Sequence, residues 1–329
     1  MFGLFKKERK RGEQFLVGST DIHCHILPGV DDGFASLSTS VELLEREANA
    51  GVKRVYFTPH SMGLSGAVVD PRSYGTHHHH HPHSSKGGKS ESSRSIQDES
   101  ANASVFSSER NYEFEIEKLR AENKIVPSSI LQAAREKEYA EINKLPEFLG
   151  EPIGGFSDAH LKAKFEKFKK FYTGRVDVRL AAEYMMNKEF LDKVKAKDLL
   201  TYSDGVHVLV ETSYYSAPLE MDEILYTLQI EGYKPILAHP ERYRYMGWND
   251  YEKLKEKGIE FQLTYLSLTG YYGKTTLKCA LDLLDRGFFD YTGSDYHRTS
   301  TFIHYAHKLD FNRRRTEALE KLFANNSKL

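Results

Sequence analysis

Cysteine is scarce in this chain: Cys24 and Cys279 are the two among 329 residues, which favours a reducing compartment and leaves no thiolate cage to hold a structural metal. No stretch combines the flanks and long apolar run of a signal peptide or a membrane helix, so a cytoplasmic location without stable membrane insertion is expected. Net charge is also nearly absent. Lys and Arg number 46 against 47 Asp and Glu, so no global field argues for a nucleic-acid partner or an anionic membrane. With 40% hydrophobic and 28% charged residues, the length suits one large barrel or two modest domains.

What is present starts with Asp21-Ile22-His23-Cys24-His25-Ile26-Leu27-Pro28-Gly29-Val30-Asp31-Asp32-Gly33. In an extended strand, residues two apart point the same way, so His23 and His25 can share a cation while Cys24 faces the opposite side. Apolar runs at 14–22, 54–57, 176–182, 207–210, 234–238, 259–263 and 289–293 read as seven strands. Helical segments are expected from Thr39 to the Gly51 terminator and at 158–172, 221–231, 251–257 and 273–285. Alternating strands and helices imply a mostly parallel sheet covered on both faces. Metal-competent residues fall at the C-terminal ends of six of the seven strands, where a βα barrel gathers its active site; an open doubly wound sheet would draw on fewer strands.

That rhythm is interrupted. Residues 1–12 form a basic segment expected to fray. Residues 62–148 break the strand–helix pattern of 13–61 and 149–329. Among them, 62–108 is low-complexity and rich in His and Ser, with an unbroken histidine run at 77–81, and is expected to be disordered. Residues 109–148 are expected to be helical, at 109–123 and 129–143.

The strand ends supply His23, His25, Asp32, His60, Glu183, Glu211, His239, Asp295 and His297 as candidate metal ligands. Any one of them alone would pass for a hydrogen-bonded surface residue. Their joint occurrence, in His-x-His, Thr-Pro-His, Ala-His-Pro-Glu-Arg and Ser-Asp-Tyr-His, argues for a metal centre. Nine donors exceed what one ion takes, so three closely spaced ions with bridging carboxylates fit better. Mixed imidazole and carboxylate donors suit manganese, iron or zinc.

These motifs resemble the polymerase and histidinol phosphatase (PHP) family of metal-dependent phosphoesterases, and within it the bacterial tyrosine-protein phosphatases associated with capsule and exopolysaccharide production. The resemblance is carried by residues 21–33, Thr58-Pro59-His60, Ala182-Glu183, Val210-Glu211, Leu237-Ala238-His239-Pro240-Glu241-Arg242-Tyr243 and Gly293-Ser294-Asp295-Tyr296-His297. It implies a distorted, TIM-like (β/α)7 barrel of the PHP type with three divalent ions, manganese first, held by the nine residues. It further implies a phosphotyrosine protein as substrate, such as a bacterial tyrosine kinase of polysaccharide export. Arg242 is then the phosphate-binding residue, since its planar fork matches phosphate bidentately; Arg298 is a looser match for the same role. The family runs from Thr-Pro-His to the Glu183 strand in far fewer residues, which marks 62–148 as inserted, and little of its usual sequence follows His60 in Ser61-Met62. Hydroxide held between metal ions would attack phosphorus in line, with weak acid help to the phenol from a ligand such as Asp295 or His297. Cys24 lacks the Cys-x5-Arg loop of a thiol phosphatase. Two alternatives stand beside this reading: a small-molecule phosphatase such as one for histidinol phosphate, and an inactive metal-binding scaffold. The sequence leaves the oligomeric state open.

Overall fold

The computed structural model describes residues 9–34, 36–61 and 157–329. The expected insertion, 62–148, and its two helices lie outside the described residues. Two parallel sheets are formed among the described residues. The first contains β1 (Thr20–Asp21), β2 (Arg54–Phe57) and β4 (Asp177–Leu180), in the order β1-β2-β4. The second contains β3 (His60–Ser61), β5 (Glu183–Met185), β6 (His207–Glu211), β7 (Lys234–Ala238), β8 (Glu260–Thr264) and β9 (Tyr291–Gly293), in the order β3-β5-β6-β7-β8-β9. The helices are α1 (Leu37–Ala50), α2 (Asp158–Phe171), α3 (Lys188–Ala196), α4 (Met221–Ile230), α5 (Trp248–Glu256), α6 (Lys274–Asp285), α7 (Thr299–Tyr305) and α8 (Arg313–Asn326). None of the described helices is long and apolar enough to cross a membrane.

Two of the seven expected strands are each split in two. Pro59 has no N–H to offer a ladder, and the chain bends at Thr58-Pro59 opposite Ala181-Ala182. Pairing survives the bend, because Ala181 donates its N–H to the Phe57 carbonyl (2.9 Å) and Glu183 to that of Pro59 (3.1 Å). The first expected strand, 14–22, is corrected more heavily. Gly12–Leu16 winds into a 3-10 helix, Gly18 takes a positive φ of 76°, and only Thr20–Asp21 pairs. The apolar residues of that stretch serve another contact: Phe15 is buried against the rings of Phe311 and Phe323, at 6.5 and 6.3 Å.

Helix α1 starts two residues before the expected Thr39, since the Ser36 hydroxyl accepts the Thr39 N–H (3.3 Å) and so caps it. Gly51 ends it in the left-handed region, as expected. Side chains of Ile22, Tyr56, Leu209, Ile236 and Tyr291 meet in one buried cluster between the strands. Every residue of β6 is buried, as a strand covered on both faces requires. Arg9 and Lys10 pair with Asp310 and Glu320, at 2.9 and 3.5 Å.

Candidate metal centre

All nine candidate ligands converge at the C-terminal ends of the strands. Glu211 closes β6 and His239 directly follows β7, while His60 and Glu183 open the short continuations β3 and β5 beyond the bend. His23 and His25 lie just past β1, and Asp295 and His297 just past β9. These first and last segments are knitted together by backbone: Asp295 donates to the His23 carbonyl (2.7 Å), His25 to that of Tyr296 (2.9 Å), and Cys24 bridges Tyr296 in parallel register. Close approach requires Gly293, where a Cβ would come within 2.7 Å of the His23 Cβ.

The donor atoms fall into four overlapping groups: His25, Asp32, His60 and His297; His23, His239 and Asp295; His23, His25 and Glu183; and His60, Glu183 and Glu211. An ion about 2.0–2.2 Å from tetrahedral N and O donors sets neighbouring donors about 3.3–3.6 Å apart. The Nε2 atoms of His23 and His25 are 3.4 Å apart. They lie 3.3 and 3.2 Å from Glu183 Oε2, and each 3.3 Å from Asp295 Oδ1. His60 Nδ1 is 3.4 Å from Glu183 and 3.2 Å from Glu211. Asp32 Oδ1 is 3.5 Å from His60 and 3.3 Å from His297. Buried Asp295 Oδ1, which faces His23 and His25, has no hydrogen-bond partner among the described residues, a cost that a cation would remove. Donor type, spacing and this orphaned oxygen all fit divalent ions.

The outer nitrogens of three histidines are already held. Asp31 accepts from His25 Nδ1 (2.7 Å) and also from the backbone N–H groups of His60 (3.1 Å) and Gly33 (3.0 Å). Gln262 directs its amide nitrogen to the Leu263 carbonyl and its oxygen to His23 Nδ1 (2.8 Å). His297 Nδ1 donates to the Asp295 carbonyl (2.9 Å). Each bond fixes the tautomer that turns an Nε2 lone pair into the cluster. Asp31 stands beside the candidate ligand Asp32 in the opening motif; Gln262 was missed. Its one signal in sequence is an amide between two apolar strand residues.

Backbone strain is concentrated here too. Among the described residues, three other than glycine have positive φ: Lys197, which caps α3, and His239 (36°) and Asp295 (55°). Such conformations cost about 1–3 kcal/mol each and persist where the surroundings impose them.

Electrostatics agree with a cation-binding cluster. Burial alone would push His23 down, but the carboxylates of Glu183 and Asp295 outweigh it and lift its pKa to about 9. Burial would push Glu183 and Asp295 up, yet His23 and its neighbours hold both well below the usual carboxylate range. His239 is instead lowered, by burial and then by Arg242, which keeps its imidazole neutral and able to ligate. Cys24 is displaced from the chemistry. Its thiol contacts the Tyr56 carbonyl (3.2 Å), and burial followed by the charges of Asp21 and Glu47 raises its pKa well above normal, so it is no nucleophile.

Arg242 ends the short turn Pro240–Arg242 after His239, and its Nη1 donates to Asp295 Oδ2 (2.7 Å). It is therefore at the cluster, while Arg298 is exposed at the residue before α7. The model of a family described as capsular polysaccharide synthesis, CpsB/CapC, matches residues 19–116 and 127–328. The chain belongs to the CpsB/CapC family. Among its relatives, tyrosine-protein phosphatase YwqE of Bacillus subtilis (strain 168) is 24% identical over 289 residues, covering 85% of this chain and 78% of that protein. CapC of Staphylococcus aureus is 24% identical over 279 residues, covering 84% and 76%. A solved structure from work on YwqE and on CpsB of Streptococcus pneumoniae, described there as unique metal-dependent tyrosine phosphatases, matches with a TM-score of 0.50 at 22% identity. It covers 92% of this chain and 87% of that one. The CpsB/CapC chain thus shares the fold of that structure, an α/β arrangement of parallel sheets.

Proposed function

We propose that this CpsB/CapC chain is a metal-dependent phosphoesterase, a protein-tyrosine phosphatase that acts in the cytoplasm in the regulation of capsule and exopolysaccharide synthesis. The observation that carries the reading is the convergence of nine imidazole and carboxylate donors with one arginine fork beside them. The relatives named for tyrosine phosphatase activity support it. The substrate is a phosphotyrosine protein, for which a bacterial tyrosine kinase of polysaccharide export is the expected source. Three divalent ions occupy the nine donors, manganese first, with iron or zinc as alternatives. The strands form a distorted (β/α)7 barrel of 13–61 and 149–329. Support for closure comes from the Cys24–Tyr296 bridge between the first and last segments. Support for 62–148 as an insertion comes from the Ser61 hydroxyl, which bonds the Asp158 carboxylate where the chain returns.

When bound, the ions supply Lewis acidity, lowering the pKa of water and neutralising phosphoryl oxygens. The protein's own part is geometric. Four carboxylates and five imidazoles hold the charge in place, with His297 and Asp32 on the solvent side and His23, His25 and Glu183 fully buried. Arg242 keeps N–H groups besides the one given to Asp295, and these face no hydrogen-bond acceptor among the described residues, so they are available to equatorial phosphoryl oxygens. Arg298, at the rim, gives secondary attraction to the substrate anion. A tyrosine phenol leaves with a pKa of about 10, so its departure needs little help from a proton donor.

The test uses protein prepared without a nickel column, because the histidines at 77–83 would load nickel. Expected are hydrolysis of para-nitrophenyl phosphate and of a phosphotyrosine peptide, loss with a chelator, recovery with manganese, and survival of thiol alkylation. Activity that dies on alkylation and ignores chelation would sink the mechanism. Preference for histidinol phosphate would move the substrate to a small metabolite, and full metal occupancy without turnover of any ester would leave the scaffold.

A further inference from the structure

We infer that Tyr214 and Tyr272 are positioning residues whose ring faces hold the Arg242 guanidinium in the orientation that grips the substrate phosphate. This rests on the phosphatase reading above.

An arginine that binds phosphate needs its fork fixed before the anion arrives, because a free side chain with several rotatable bonds loses that freedom on binding. Asp295 fixes one point of the fork, Nη1. A single hydrogen bond still lets the plane swing about it. The guanidinium carbon lies 3.9 Å from the centroid of the Tyr272 ring and 4.6 Å from that of Tyr214. Contact with aromatic faces restrains out-of-plane motion and leaves the in-plane N–H edges open, the edges that match phosphate oxygens.

The rings are themselves held. Tyr272 meets the Tyr271 ring edge-on at 4.7 Å, and Tyr271 meets Tyr305 of α7 at 4.8 Å. Tyr214 packs on His239 at 5.7 Å and on Tyr243 at 6.1 Å. The turn carrying Arg242 is pinned from below, with the Pro240 carbonyl accepting from Tyr251 (3.0 Å) and the Glu241 carboxylate from Thr264 N–H (3.0 Å) and the Ser267 hydroxyl (2.7 Å). Tyr214, Arg242 and Tyr272 follow β6, β7 and β8, three adjacent strands. The clamp is therefore built from neighbouring strand ends, one residue from each.

Two readouts on the metal-loaded full chain test it: the Kd for inorganic phosphate by calorimetry, and kcat with KM on para-nitrophenyl phosphate. Tyr272→Ala is expected to weaken phosphate binding and to lower kcat/KM by about tenfold. Tyr272→Phe, which retains the ring face, is expected to stay within about twofold of the parent. In an Arg242→Ala background, Tyr272→Ala should cost nothing further, and Tyr214→Ala should behave likewise. Full additivity in that background, or damage by Tyr272→Phe equal to that by Tyr272→Ala, overturns the clamp. Absence of any Arg242-dependent phosphate binding overturns it as well. Arg242-dependent phosphate binding without ester turnover would remove the phosphatase reading and leave the clamp standing.

Discussion

The histidines of this chain divide by what holds their outer nitrogen. At the cluster, His25 and His23 each give Nδ1 to one acceptor, Asp31 and Gln262, and removing such an acceptor frees the ring without touching a ligand. Asp31→Ala and Gln262→Leu are each expected to weaken metal affinity by about 10–100-fold, as read by competition with a metallochromic dye. Unchanged affinity in both would mean that the rings are held by packing alone. His207, at the start of β6, is a different case, because its Nδ1 bonds Asp204 and its Nε2 bonds Glu260 (2.8 Å). Burial would lower His207, but the two carboxylates outweigh it and raise it above 6.5. Burial would raise Asp204 and Glu260, but His207 and other donors hold them below 3.8 and 4.5. The imidazolium's contribution to stability is then full below its unfolded pKa and is lost as pH rises through the raised folded one; the carboxylates' contribution is full above their unfolded values and is lost as pH falls through the depressed ones. His207→Gln should therefore cost about 1 kcal/mol near pH 6, after allowance for solvent screening, and less near pH 9, measured as urea midpoints. An equal loss at both pH values would rule out a charge contribution. In sequence, the nine residues that the structure gathers stood out because each is a charged or imidazole residue at the end of an apolar run or, for Asp32, in the loop that follows one. Gln262, Tyr214 and Tyr272 did not stand out, since an amide within a strand and tyrosines in a loop look like ordinary packing.

At the level of elements, strand positions were readable because the apolar runs of a doubly covered sheet are short and bounded. The run at 14–22 misled for the same reason: Phe15 and Leu16 are apolar but bury against the C-terminal segment. That segment includes α8, which was not read as a helix. Its buried face, with Thr316, Leu319, Phe323 and Asn326, has polar residues at both ends. Asn326 explains why one of them is polar. Its side-chain amide donates to the carbonyls of Thr20 in β1 (2.8 Å) and Thr292 in β9 (2.6 Å), and accepts the Thr292 N–H (3.1 Å). One fully buried side chain thus satisfies backbone groups of the first and last strands. Asn326→Leu is expected to cost about 2–4 kcal/mol in urea unfolding, since three buried backbone groups lose their partner. A loss below about 0.5 kcal/mol would mean that the strands re-pair without it.

Over the whole molecule, the donor set spans His23 to His297 and takes residues from the ends of most strands, so ions bound there connect segments that are distant in sequence. Any ligand that binds the folded chain and not the unfolded one stabilises it by about 2.7 kcal/mol per site at a hundred times its Kd. For a domain of this size that corresponds to a rise of roughly 5–10 °C in Tm per site. The histidines at 77–83 complicate a simple reading of metal content, because they can retain metal independently of the cluster. Stability separates the two sources. Consecutive histidines bind metal in the unfolded chain as well, so that binding cancels from the folding equilibrium and leaves Tm unchanged. Ions at the strand ends need the folded geometry and must raise it. Tm is therefore expected to climb with manganese concentration, to fall on chelation, and to lose most of this response in Glu183→Gln, whose carboxylate contacts His23, His25, His60 and His239. A Tm indifferent to chelator in protein made without nickel would place the bound metal outside the cluster. A response undiminished in Glu183→Gln would take Glu183 out of the ligand set.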